Sequence, residues 1–150
     1  MQPPWFGPLA APLAPHAQLR FVAEATDNPS LPKALRHMRA AGLTIDNSCF
    51  LYPVFELPLR ELLAELVSRD LAYSTQSLLD PAEAAAWAQG LCQQVDPEST
   101  WLSNARWGRH AEGYWYPTGG WKPFTEHTFD AGFVWLAPGS VGFVWAWAED

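Results

Sequence analysis

Charge is scarce in this chain. Only 17% of its 150 residues are Asp, Glu, Lys or Arg, while 49% are hydrophobic, against a usual charged share of about 25%. A chain of that balance and length has the apolar surface to build a core, which excludes disorder along its whole length. Basic residues are scarcer still: nine Lys and Arg stand against 16 Asp and Glu, giving a net charge of −7. The imbalance is uneven, with 3 basic and 9 acidic residues after position 75. Such a surface repels phosphate and anionic lipid, so neither nucleic acid nor a membrane is expected as a partner. A basic protein is what it would steer in.

Cysteine is nearly absent. Cys49 and Cys92 stand far apart, in neither a CxxC nor a Cys/His spacing, so zinc and redox chemistry have no signature and buried free thiols are expected. No apolar run approaches the roughly 18 residues of a membrane helix. The opening "MQPPWFGPLAAPLAPHAQLR" lacks a basic leader region, and its prolines interrupt any apolar stretch; a cytoplasmic location is expected. The sequence has no GxSxG elbow and no HExxH pair, and the glycines of "TGGWKPF" precede no helix that would cradle a phosphate. No cofactor is expected.

What is present reads as one α+β domain over residues 17–150, preceded by a proline-rich arm over 1–16. Pro3, Pro4, Pro8, Pro12 and Pro15 argue for an extended arm, with Trp5 and Phe6 as anchors. "AQLRFVAEAT" alternates Leu19, Phe21 and Ala23 with Arg20, Val22 and Glu24, which favours a strand.

Three helices follow. "SLPKALRHMRAAG" places Ala34, Leu35, Met38 and Ala41 on one stripe, with Pro32 in the first turn and Gly42 as the stop. Its outer face carries Lys33, Arg36, His37 and Arg39, the one dense basic cluster, which a solvated helix face explains. "PLRELLAELVSRDLA" spaces Leu59, Leu62, Leu63, Leu66 and Val67 at helical intervals, with Glu65 and Arg69 four apart. "DPAEAAAWAQGLCQQV" opens on Asp80 as cap, Pro81 and Glu83 as a capping box, and Trp87 and Leu91 as its inner face, interrupted by Gly90.

From residue 97 onward the chain holds seven of its nine tryptophans. "STWLSNARWG" and "EGYWYP" suit strands, and "HTFDAGFVWL" with "VGFVWAWA" a hairpin across "APGS". The expected architecture is about three helices on one face of an antiparallel sheet that ends in this hairpin. Both faces of the hairpin are apolar, so it is either covered or presents a Trp-rich face to a partner. In the covered case the large residues face the helices and Gly142, Ala146 and Ala148 lie under the arm.

His110 and Glu112, with Glu126, His127 and Asp130, are the residues from which a small metal-dependent or acid/base enzyme would be built. Trp107, Tyr114, Trp115, Tyr116 and Trp121 would be the platform of a carbohydrate site, but core positions are the expected role of such tryptophans. An intracellular scaffold subunit is a third possibility.

The segments "FTEHTFDAGFVWL" and "VGFVWAWAED" resemble the ends of small bacterial proteins that act as immunity partners of secreted toxins. FD stands before the first strand of the hairpin, and Gly, Trp and a terminal acidic pair stand in the second. The resemblance implies a cytoplasmic binding protein that blocks a basic toxin, without a cofactor. Glu112, Glu126, Asp130, Glu149 and Asp150 would then present negative charge around Trp107, Trp115 and Trp121.

Overall fold

A computed structural model of the chain describes residues 1–44, 51–54, 57–70, 78–95, 97–119 and 129–148. These residues form four helices, an antiparallel sheet of five strands and a separate two-stranded sheet, a mixed α and β architecture. Among the described residues no helix is long and apolar enough to cross a membrane.

The N-terminal segment departs from the extended arm that its prolines suggest. Phe6–Ala10 is a short helix, α1, followed by turns. Pro8 falls in its first turn, where no intrahelical N–H is required, so the ring is tolerated. Phe6 is buried and stacks on Phe21 at 4.9 Å between ring centroids. Strand β1 (Leu19–Thr26) and helix α2 (Leu31–Ala40) come next. Ser30 caps α2 by accepting from the Lys33 N–H, and Gly42 ends the turn after it at φ 97°, a backbone conformation that favours glycine.

After the two-residue strand β2 (Tyr52–Pro53) come α3 (Leu59–Ser68) and α4 (Pro81–Gln94). The apolar stripe Leu62, Leu63, Leu66 and Val67 of α3 is wholly buried, and so are Trp87 and Leu91 of α4. Gly90 now has a reason: a Cβ there would stand 3.1 Å from Leu9 Cδ2. Its bare backbone lets α1 approach α4, where the Trp87 indole N–H donates to the Leu9 carbonyl at 2.8 Å.

"STWLSNARWG" divides between two sheets, as β3 (Thr100–Ser103) and β4 (Arg106–Arg109). Strand β4 pairs with β5 (Trp115–Gly119) alone. The closing hairpin, β6 (Phe129–Ala137) and β7 (Gly139–Ala148), turns at Gly139 with φ 94°. In the five-stranded sheet the order is β1-β7-β6-β3-β2, so the hairpin is central.

Both faces of this sheet are covered. Phe133 and Trp135 of β6, with Val144 and Ala146 of β7, pack with α1, α3 and α4. Val134 of β6, with Phe143 and Trp145 of β7, packs with Ala34 and Met38 of α2. Two of the three expected helices therefore share a face, joined by α1, while α2 lies on the other. The hairpin's large residues do not gather on one side either: β6 sends its tryptophan to one face and β7 sends Trp145 to the opposite one. Trp135 and Trp145 are 0% exposed, so the aromatic wealth of these two positions is core.

Cross-strand pairing makes room for both indoles. Gly132 lies opposite Trp145, and Gly142 opposite Trp135. A Cβ on Gly132 would come within 2.3 Å of Trp145 Cε3, and one on Gly142 within 2.3 Å of Trp135 Cζ2.

Candidate functional site

The site is built where the two-stranded sheet meets α3. Trp107 fixes the base of the β4–β5 hairpin. Its ring stacks on Phe133 at 5.2 Å, and its indole N–H donates to Ser103 Oγ at 3.0 Å. Between the strands, the His110 N–H donates to the Tyr114 carbonyl and the Gly113 N–H to the His110 carbonyl, with Gly113 at φ 100°. That tight loop sets Tyr114, Trp115 and Tyr116 beside the helix.

Side-chain contacts lock the two elements together. The Trp115 indole N–H donates to Glu61 Oε2 at 2.9 Å. Arg69, paired with Glu65 at 2.9 Å, places its guanidinium 4.2 Å over the Tyr114 ring, on which His110 stacks at 4.4 Å. Arg109 lies 5.6 Å from the Trp115 ring. These cation–π contacts help to fix the two rings, each of which is partly buried. Tyr116 is 38% exposed, a large share for an aromatic ring.

Two adjoining depressions result. A narrow cleft of about 50 Å³ runs past Leu66, Asp70, Trp107, Tyr114, Tyr116 and Pro117. A wider bowl of about 320 Å³ opens beside it over Glu61, Ser68, Arg109 and Gly113, with Glu65, Arg69 and Trp115 common to both. The cleft has room for a side-chain tip, and the bowl has charges of both signs at its rim.

Of the residues expected at a partner surface, Trp107, Glu112 and Trp115 are on this one hairpin. Trp107 is its buried root, Trp115 lines both depressions, and Glu112 is exposed in the loop. Trp121, Glu126, Glu149 and Asp150 lie outside the described residues, as does His127. Asp130 is not at the surface as expected: it is 0% exposed. Its Oδ1 accepts from Asn104 Nδ2 at 3.0 Å and from the Trp145 indole at 3.4 Å, and Asn104 Oδ1 accepts from the Gly132 N–H. The carboxylate belongs to a buried polar network that ties β6 to β7, because a buried polar group needs partners.

His110 and Glu112 do adjoin, but through the backbone. The Glu112 N–H donates to His110 Nδ1 at 3.1 Å, so that nitrogen closes the loop. Among the described residues no group of three or more His, Cys, Asp or Glu could hold a metal ion. Cys49 lies outside the described residues, and Cys92 is half-buried and free. Burial pushes the Cys92 thiol up, which disfavours the reactive thiolate.

Sequence reasoning missed Glu61, Glu65, Leu66 and Arg69 as site residues. They belong to a helix whose apolar stripe and one i,i+4 pair account for them locally, and only the tertiary docking of the hairpin brings them to the aromatic rings. The arrangement sets aromatic rings, contacted by a carboxylate and two guanidinium groups, next to a mixed-charge bowl. No protein-family model, curated protein or solved structure matches the chain.

Proposed function

We propose that this chain is a small acidic binding protein, acting in the cytoplasm, that captures a basic protein partner through the groove between the β4–β5 hairpin and α3. An immunity role against a toxin is the form of this reading that the closing segments' resemblance favours. The observation that carries it is the Tyr114, Trp115 and Tyr116 cluster, fixed beside Glu61, Glu65 and Arg69. Rigid, partly exposed aromatic rings are the commonest anchors of protein interfaces, since they bury much area at little entropic cost. The net charge of −7 supports a partner of opposite sign.

The test is capture of partners on the tagged chain from lysate of the native cell, washed at about 0.5 M salt, followed by binding measurements on the purified pair. A basic protein should remain in a one-to-one ratio, and co-expression of the chain should relieve its toxicity. Tyr116→Ala removes an exposed ring and should weaken binding about ten-fold or more, with Trp115→Ala acting more strongly. Equal binding by both variants, with far-UV spectra unchanged, would refute the groove as the contact surface. A captured partner without toxicity would refute the immunity role alone.

A further inference from the structure

A third depression lies on the other face of the sheet, away from the groove. It measures about 380 Å³ and is lined by Lys33, Arg36, His37 and Ala40 of α2 and Glu24 of β1. Positions 33, 36, 37 and 40 form one helical stripe, since residues three and four apart are neighbours on a helix. The adjacent stripe, with Ala34 and Met38, is fully buried against the sheet, which sets this one along the rim of β1.

An ordinary solvated helix face would let its cations wander independently in water. Here two side chains of the stripe are tied across the gap to β1. Lys33 Nζ donates to Thr26 Oγ1 at 2.8 Å, and His37 Nε2 lies 3.2 Å from Glu24 Oε2. Lys33 keeps two further donors, because an ammonium carries three. Arg36 is exposed between them in sequence, with a guanidinium fork suited to paired oxygens. Even with Glu24 counted against them, Lys33 and Arg36 leave the bowl positive. This local sign is opposite to the chain's net −7.

We propose that this bowl binds a phosphate group. Lys33 and Arg36 supply the donors to the terminal oxygens of a phosphate monoester, while His37 engages the Glu24 carboxyl through Nε2 at the edge of the bowl. The proposal is independent of the partner groove, since α2 and α3 pack on opposite faces of the sheet.

The deciding experiment is an NMR titration of the full ¹⁵N-labelled chain with inorganic phosphate and with phenyl phosphate, at an ionic strength held constant with chloride. Saturable shifts should appear in the amides of α2 and in the His37 ring, and acetate should bind more weakly. Arg36→Ala, a change at an exposed site, should weaken binding about ten-fold, and the Lys33→Ala/Arg36→Ala pair should abolish it. Co-sedimentation with phosphatidic acid vesicles separates the two sources of a phosphate. Retention that the double variant loses would mark a lipid headgroup as the ligand, whereas saturation by phenyl phosphate without retention would mark a soluble ester. Shifts that chloride reproduces, that the double variant retains, or that are missing with every phosphate probe would overturn the site.

Discussion

Gly132 and Gly142 are the two positions of the closing hairpin where a single methyl group decides the outcome. In Gly132→Ala the new Cβ would meet both the Trp145 ring and the Val144 carbonyl oxygen, at 2.3 and 2.4 Å. Backbone cannot swing aside as a flexible side chain does, so the loss should reach about 3 kcal/mol, the upper part of the usual overpacking range. A urea unfolding midpoint checks it, and an unchanged midpoint would mean that the indole does not sit over this glycine. The Glu24 and His37 pair makes a different residue-scale prediction. The hydrogen bond from His37 holds the Glu24 carboxyl below its ordinary range, outweighing a desolvation that works the other way. A carboxyl depressed by folding stabilises the folded chain above its unfolded pKa, and that contribution is lost as pH falls through the lower, folded value. In His37→Ala the Glu24 titration, followed by side-chain NMR, should move up toward the ordinary carboxylate value. The alternation of large and small residues in both strands is plain from the sequence. Which face each indole takes is not, because it depends on cross-strand register.

At the scale of elements, the helices were legible where local rules suffice. The start of α4 is an example: Asp80 accepts from the Ala82 N–H at 3.1 Å, so Asp80→Ala should cost about 1 kcal/mol, read from the thermal or urea transition. The capping-box expectation was close in placing the cap, although the bond observed goes to Ala82 rather than to Glu83. The stripes of α2 and α3, and the Glu65 to Arg69 pair, also follow from spacing alone. The side of the sheet that each helix covers does not. The amphipathic stripe of α2 says only that it must bury one side, and both faces of the hairpin were apolar enough to accept it. Residues 1–16 differ from expectation for a similar reason: proline frequency argues for extension, but Pro8 in a first turn costs little, and docking of Phe6 and Leu9 fixes the short helix.

For the whole molecule, the central hairpin is the common wall of two apolar clusters, one with α1, α3 and α4 and the other with α2. A two-sided apolar hairpin needs cover or a partner, and the described residues cover it with helices on both faces rather than the one face expected. The candidate groove was half legible. Trp107, Glu112 and Trp115 stand close in sequence and share one hairpin, whereas the contribution of α3 depends on a docking that no local pattern encodes. Asp130 looked like a surface charge because its neighbours in "TEHTFD" are polar; strand alternation turns it inward beneath Trp145. The paired glycines carry one more consequence. Sliding β7 two positions in one direction would set Trp145 against Val134 and Trp135 against Val144; sliding it the other way would set Trp145 against Asp130 and Gly142 against Phe133. Only the alignment observed gives both indoles an empty seat at once, so the hairpin works as a lock with one setting, and shape disfavours its misaligned forms.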